Sequence, residues 1–552
     1  MPTSSKQLPT LALVLHAHLP LVRHPELESS LEEAWLFEAL VECYLPLLAL
    51  TTRLQQRRST VRFTLVLSPT LVSMLRDKYL QGRFYDYLDQ LQALCRRVLR
   101  RQRLTPRQRR LLGWHLRRLR LARRRFSAID GDLAGAWSRL AAGGRVELMT
   151  TAITHAYLPL CQASVVRAQL AAGREMHRLV FGSLPAGVWL PECGLDDHVM
   201  DILHRLGVGH TVAESHGLLL GVPRPPCGVF APIRPFAELA VFGRDPAVSR
   251  QVWSTRKGYP GHGEYLEFHR DLAGEIAPDL LGSFALPGGD HRPTGIRLRR
   301  ITGCTEQKRL YRPEQARLVA AGHARHFVGL CRRRLARLQS LLPSPVIVAP
   351  YDAELFGHWW HEGPLFLEQA FMEGEHQGAF RFDTLAGYLE RWPPHFHSRP
   401  SPSSWGQGGY HHTWLNENND WLLPRLRDAA DRVRRAAGVA GIHTRQRRLL
   451  RQAACELALA QSSDWAFMLN SSSSAAYARQ RLEDHLTAVT KLCLQVEGRQ
   501  RRRGNLLDQR KAQWGFMPAA VADLFLQELT ERTYRPEPAA ATTATERCRE
   551  NP

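Results

Sequence analysis

Apolar and polar positions alternate in blocks along the first 395 residues. Short, mainly apolar runs stand at Leu11–Leu15, Phe63–Leu67, Val146–Thr150, Gly209–Ala213, Leu239–Phe242 and Val346–Ala349, with a seventh at 185–191 that ends in Glu192. Each run exits into polar residues, and each is too short for a helix and apolar enough for a strand covered on both faces. Helical spacing fills most of the intervals. Strands alternating with helices predict parallel βα units, and polar clusters at every carboxyl end predict a barrel with its site on one face. Seven staves predict an incomplete (β/α)7 barrel over residues 8–395, class α/β, with a helical insertion at 75–140. The stretch from 253 to 290, rich in Gly and Pro and without period, reads as a large loop beside that face.

Composition shifts near residue 395. Pro393-Pro394 and the run Arg399 to Ser404 read as a linker, and helical spacing then takes over, with Leu482, Leu486, Val489, Cys493 and Val496 on one face. A helix-bundle domain is expected over 396–535, and the Ala-, Thr- and Glu-rich tail 536–552 is expected to be disordered.

Charge changes this picture little. Lys and Arg number 74 against 52 Asp and Glu, a net charge of +22 that invites a nucleic-acid partner. Its distribution argues otherwise: fourteen arginines and no acid lie between Cys95 and Phe126, where Leu99, Leu111, Leu112, Leu116 and Leu119 are interleaved. That pattern predicts paired amphipathic helices with a solvated basic face rather than a nucleic-acid groove, and leaves a basic nucleic-acid-binding protein as the more distant alternative. The ten cysteines form no CxxC pair, which speaks against a zinc ribbon or a disulfide framework. Leu11–Leu15 is shorter than a signal-peptide core and no stretch approaches a membrane span, so a cytoplasmic protein without a membrane partner is expected.

Two strand-exit carboxylates have aromatic company. Glu192 follows Trp189, and Asp352 sits among Tyr351, Phe356, Trp359 and Trp360. Glycosidic-bond chemistry needs one carboxylate as nucleophile or base and another as proton donor, while flat rings stack on sugars. A solvated loop glutamate is the plain alternative for Glu192. A metal-dependent hydrolase is a rival: His16 and His18, two apart on a strand, point to the same side, and His155, His210, Asp352 and His358 complete a ligand set.

The ordered segments His16-Ala17-His18-Leu19-Pro20, Arg145-Val146-Glu147-Leu148, Trp189-Leu190-Pro191-Glu192-Cys193-Gly194, Tyr351 to His358 and Ser462 to Phe467 resemble the five signature regions of the family 57 glycoside hydrolases. Within that family, Arg250 to Ser254, Gly258 to Gly261 and Ser403 to Tyr410 resemble the 1,4-α-glucan branching enzymes. The resemblance implies a retaining transfer without metal or cofactor, with Glu192 as nucleophile and Asp352 as general acid and base. Retention needs their carboxyl groups roughly 5 to 5.5 Å apart. It also implies that Asp464, carried by the helical domain, reaches the barrel mouth and binds sugar hydroxyls with His16, His18 and His155. Trp405 and Trp414 would line the glucan site, joined by Trp253 and Trp360, while Tyr259 and its loop cover it. The substrate implied is an α-glucan polymer, and the assembly expected is a monomer or small homo-oligomer. An α-amylase or 4-α-glucanotransferase of the same family would share the catalytic pair. The Arg-rich segment and the chain after residue 497 depart from the family pattern.

Overall fold

A computed structural model describes residues 8–27, 30–254, 257–286, 290–303, 305–471, 474–499 and 506–531. The tail 536–552 lies outside them. The described residues hold nine strands: β1 (Thr10–Ala17), β2 (Phe63–Leu67), β3 (Val146–Met149), β4 (His210–Ala213), β5 (Ile233–Phe236), β6 (Leu239–Gly243), β7 (Val346–Asp352), β8 (Arg381–Phe382) and β9 (Phe396–His397). Six coincide with the apolar runs. The run ending at Glu192 forms no strand of its own; it joins its neighbours through single parallel bridges, Thr150 to Val188 and Gly187 to His210.

Those bridges complete a ring. The parallel ladder β3-β2-β1-β7 and the pair β4-β6 are linked on one side by residues 187–188 and on the other by a bridge from Arg244 to Val348. Seven staves thus surround a core, with the ladder thinnest at the fourth. Gly187 is required there, because a Cβ would stand 2.2 Å from the His210 ring. β5 pairs antiparallel with β6 outside the ring and carries β9 beside it, and β8 pairs with the start of β1.

The side-chain period of two divides each stave between inside and outside. Ala12 and Val14 of β1 meet Val66, Met149, Trp189, Val212, Phe242 and Val348 inside the barrel, whereas Leu11, Leu13 and Leu15 face the helices. The inward series of β1 ends at His16, and that of β7 runs through Val346 and Val348 to Asp352. Both staves therefore deliver a polar residue to the same end of the barrel.

The insertion forms helices Lys78–Arg101, Pro106–Ser127 and Leu133–Ala142. Leu111, Leu112, Leu116 and Leu119 are buried, while Arg107, Arg110, Arg117, Arg120 and Arg124 are exposed, as the interleaving predicts. One expectation is corrected: the helical stretch Leu31–Gln56 is long and apolar enough to cross a membrane, and it lies largely buried, with Leu36, Leu40, Leu47 and Leu54 in the core around the barrel.

The carboxyl-terminal region is helical, at Leu422–Ala437, Thr444–Ala460, Ser463–Met468, Ala475–Val496, Leu506–Trp514 and Ala519–Thr530. The stretch before it is not a free linker. Val222 pairs with Arg399 and Leu195 with Ser403 in antiparallel bridges, so residues 399–405 are strapped across the barrel mouth.

Candidate active site

His16 and Asp352 are register partners across β1 and β7, and His16 Nδ1 lies 3.1 Å from Asp352 Oδ1. The pairing follows from strand alignment alone. Glu192 is placed differently, by a turn at Pro191–Cys193 in which Glu192 has φ 61° and Cys193 φ 51°. His155 also has positive φ, at 57°. Left-handed non-glycine residues cost on the order of 1–3 kcal/mol each and persist where surrounding contacts over-determine them. Here the strap supplies those contacts: Trp405 donates its backbone N–H to the Glu192 carbonyl at 3.0 Å and its indole N–H to Glu192 Oε2 at 2.7 Å.

The helical region completes the group. Ala156 bridges to Ser462, and the Ser463 N–H donates to the His155 carbonyl at 3.0 Å. The short helix Ser463–Met468 thereby reaches the barrel mouth. Ser463 Oγ donates to Glu192 Oε1 at 3.1 Å and lies 2.9 Å from His155 Nδ1. Asp464 Oδ2 is 3.1 Å from His18 Nε2 and accepts from Ser462 at 2.5 Å. The rings of His16, His155 and His18 stack, with 4.9 Å between the first pair and 3.9 Å between the second, and Trp189 lies 5.3 Å from His16.

Burial sets the charges. It pushes Glu192 up to about 7, against the opposing Trp405 N–H, with the charges of Asp352 and Asp464 adding to the rise. His155 is driven well below the ordinary histidine range by burial and by its two histidine neighbours, so it is neutral at pH 7. Burial also lowers His16, outweighing Asp352. His18 is the exception: burial alone would lower it, but the charge and hydrogen bond of Asp464 raise it. Glu354, two residues after Asp352, is raised by burial to about 7 and accepts from Tyr44 Oη at 2.5 Å and from the His18 N–H at 3.2 Å.

These groups line a cleft of about 1660 Å³. His16, His18, His155, Glu192, Asp352, Trp253, Trp405, Trp414 and Asp464 all border it, so the structure brings together nine of the eleven residues singled out from the sequence. Trp253 is partly exposed, and Trp414, buried, stacks on Tyr157 at 4.1 Å. His18 has both ring nitrogens taken, by Ser68 and Asp464, which makes it a fixed wall rather than a free donor.

Two residues are corrected. Tyr259 is buried, with its hydroxyl 2.7 Å from His326 Nδ1 and its ring stacked on His323, and it does not border the cleft. Trp360 is 2% exposed and packs on Phe366, Tyr265 and Phe356; its neighbour Trp359, 56% exposed, borders the cleft instead. Trp35, Phe268, Glu354, Ser463 and Phe467 were also missed. Of these, all but Ser463 border the cleft.

Of the histidine–carboxylate ligand set, His16, His18, His155, Asp352 and His358 border the cleft and His210 does not. His210 opens β4 at the opposite end of the barrel, 2.7 Å from Glu147, and His358 sits beside Glu38 and Glu42. Those three could by spacing hold an ion, but Arg297 lies 3.4 Å from Glu42 and 3.8 Å from Glu38 and already supplies a positive charge there.

Fold and site together define a parallel α/β barrel whose mouth carries a carboxylate pair in an aromatic cleft, an arrangement suited to glycosidic-bond chemistry. The sequence matches the model of glycosyl hydrolase family 57 over residues 12–282 and that of the 1,4-α-glucan branching enzyme carboxyl-terminal region over residues 425–525. A 1,4-α-glucan branching enzyme of Thermococcus kodakarensis is 31% identical over 510 residues, covering 86% of this chain and 72% of that protein. Among solved structures, the α-amylase AmyC of Thermotoga maritima aligns with TM-score 0.87 at 30% identity, covering 94% of this chain and 99% of that one. A branching enzyme of the same family from Pyrococcus horikoshii aligns with TM-score 0.83 at 28% identity, covering 96% and 98%. The chain belongs to glycosyl hydrolase family 57.

Proposed function

We propose that this protein is a 1,4-α-glucan branching enzyme, which cleaves α-1,4 links and remakes them as α-1,6 links in a glycogen-like polymer. The observation that carries the reading is the pair Glu192 and Asp352 in one tryptophan-walled cleft, large enough for a polymer segment rather than a single small molecule. Glu192 attacks the anomeric carbon as the bond from that carbon to O4 of the next glucose breaks, and Asp352 gives its proton to the departing O4. The glucan is then held on Glu192 as an ester. A 6-hydroxyl of another segment loses its proton to Asp352 and attacks the same carbon, releasing the Glu192 carboxylate. His16, hydrogen-bonded to Asp352, and His155, beside Glu192, bind hydroxyls of the sugar between the carboxylates, and Trp253, Trp405 and Trp359 stack on neighbouring units, with Trp414 backing the wall from its stack on Tyr157. The enzyme works on glucan in the cytoplasm.

Hydrolysis is the second reading, favoured by the likeness to a protein named α-amylase. Amylose incubated with the protein and then treated with a debranching enzyme separates the two. New short chains after debranching support branching; reducing ends without new branches support the amylase reading.

A further inference from the structure

The Ser463 hydroxyl is a centre that neither motif nor family name assigns. It touches both Glu192 Oε1 and His155 Nδ1, at 3.1 and 2.9 Å, whereas those two atoms are 3.8 Å apart and make no direct hydrogen bond. A serine has one O–H to give and lone pairs to receive. When Glu192 is a carboxylate it can only accept, so the serine proton is committed to Oε1. Ser463 Oγ must then accept from His155, which puts the proton of that neutral ring on Nδ1. His155 Nε2, buried and without a partner among the described residues, is left with a lone pair.

Protonating Glu192 reverses the order. Oε2 is held as an acceptor by the indole N–H of Trp405, so the acid proton sits on Oε1 and donates to Ser463 Oγ. The serine hydroxyl turns to His155 Nδ1, and the ring proton moves to Nε2. From this geometry we infer that Ser463 is a positioning residue that couples the protonation state of Glu192 to the tautomer of His155. The ring thus offers the sugar an acceptor only when the nucleophile is ready. The inference rests on the assignment of Glu192 as nucleophile.

Other ionisable groups face Glu192: Asp352 and Asp464 oppose its charge, while His18 favours it. None of them bridges to His155 through a hydroxyl, so the tautomer is the readout specific to Ser463. Ser463→Ala removes the bridge, and Ser463→Thr restores a hydroxyl. Losing one hydrogen bond to a charged group predicts a kcat roughly 10- to 100-fold lower in Ser463→Ala, with KM near wild type and the acid limb of kcat/KM displaced to higher pH. Ser463→Thr recovers both. Nitrogen-15 spectra of histidine-labelled protein, with His155 assigned by its loss in His155→Gln, should show the Nδ1–H form above the Glu192 transition and the Nε2–H form below it. In Ser463→Ala that switch disappears. The proposal is overturned if Ser463→Ala keeps the wild-type pH profile, if threonine fails to rescue a folded protein, or if the tautomer ignores pH. Retained activity in Glu192→Gln would instead refute the nucleophile assignment itself.

Discussion

Two glutamates, one fully buried and one part-buried at the cleft, live in opposite ways. Glu456, in the helical region, accepts from both arms of Arg510 at 2.8 and 2.6 Å, from Gln452 at 3.0 Å, and pairs with His485 at 2.6 Å. Burial works against its charge, yet the His485 and Arg510 hydrogen bonds hold its carboxyl below the ordinary value. Among the described residues, Glu192 accepts from two neutral donors, the Trp405 indole and the Ser463 hydroxyl, and burial wins. A carboxylate satisfied by a cation is at rest and holds helices together. One held by neutral donors in a confined space keeps its electrons available, at a cost in stability.

Removing each carboxylate should therefore do opposite things. Glu192→Gln should lower glucan transfer on the order of 10⁴-fold or more, measured as new branches per enzyme. It should also melt higher than wild type at pH 8. A carboxyl raised to about 7 when folded, from an ordinary 4.5, gives stability that is full below 4.5 and lost as pH rises through 7, and glutamine is spared that loss. At pH 4 the two proteins should melt alike. Glu456→Gln should cost about 3–5 kcal/mol in urea unfolding, because the part-buried Arg510 and the buried His485 lose their carboxylate. The folded variant should keep kcat within a few-fold. The stability contributed by Glu456 is present above its unfolded value and lost as pH falls through its depressed folded value. A Glu456 variant that unfolds normally but loses catalysis would break the comparison.

Smaller effects sharpen it. The acid limb of kcat/KM should fall near pH 7 rather than near 4.5, since only ionised Glu192 attacks. Trp405→Phe keeps the ring and removes the indole donor, and kcat should drop roughly 10- to 100-fold. Trp359→Ala should raise KM for long glucans several-fold and leave the melting temperature unchanged, while Trp360→Ala should destabilise by about 3–5 kcal/mol. The reverse pattern would return Trp360 to the cleft.

That last pair illustrates what the sequence reveals. Strand staves are legible because apolar runs of period two have one inner and one outer face, and so Asp352 is found at the end of β7. Glu192 is legible as a charge after an apolar run, even though that run is held by single bridges instead of a ladder. Between Asp352 and Trp360 no period applies. The chain turns through Ala353–Leu355 and through Gly357 at φ 127°, where a Cβ would stand 1.9 Å from the Glu42 carbonyl, so adjacent tryptophans point to different sides. The strap at 399–405 reads as a linker because its proline and serine spacing carries no trace of the bridges to Leu195 and Val222. Ser463 lies inside a motif already noticed and was passed over for its charged neighbour Asp464.

His18 and Asp464 touch across 446 residues of chain. At the roughly 5–20 residues per second of protein synthesis, His18 waits on the order of 20 to 90 s for Asp464 to leave the ribosome. Until then Glu192 has no serine hydroxyl beside it and His18 no carboxylate. Assembly of the cleft thus waits on the helical region: a copy clipped before Ser463 carries the carboxylate pair without the contacts that Ser463 makes to Glu192 and Asp464 makes to His18.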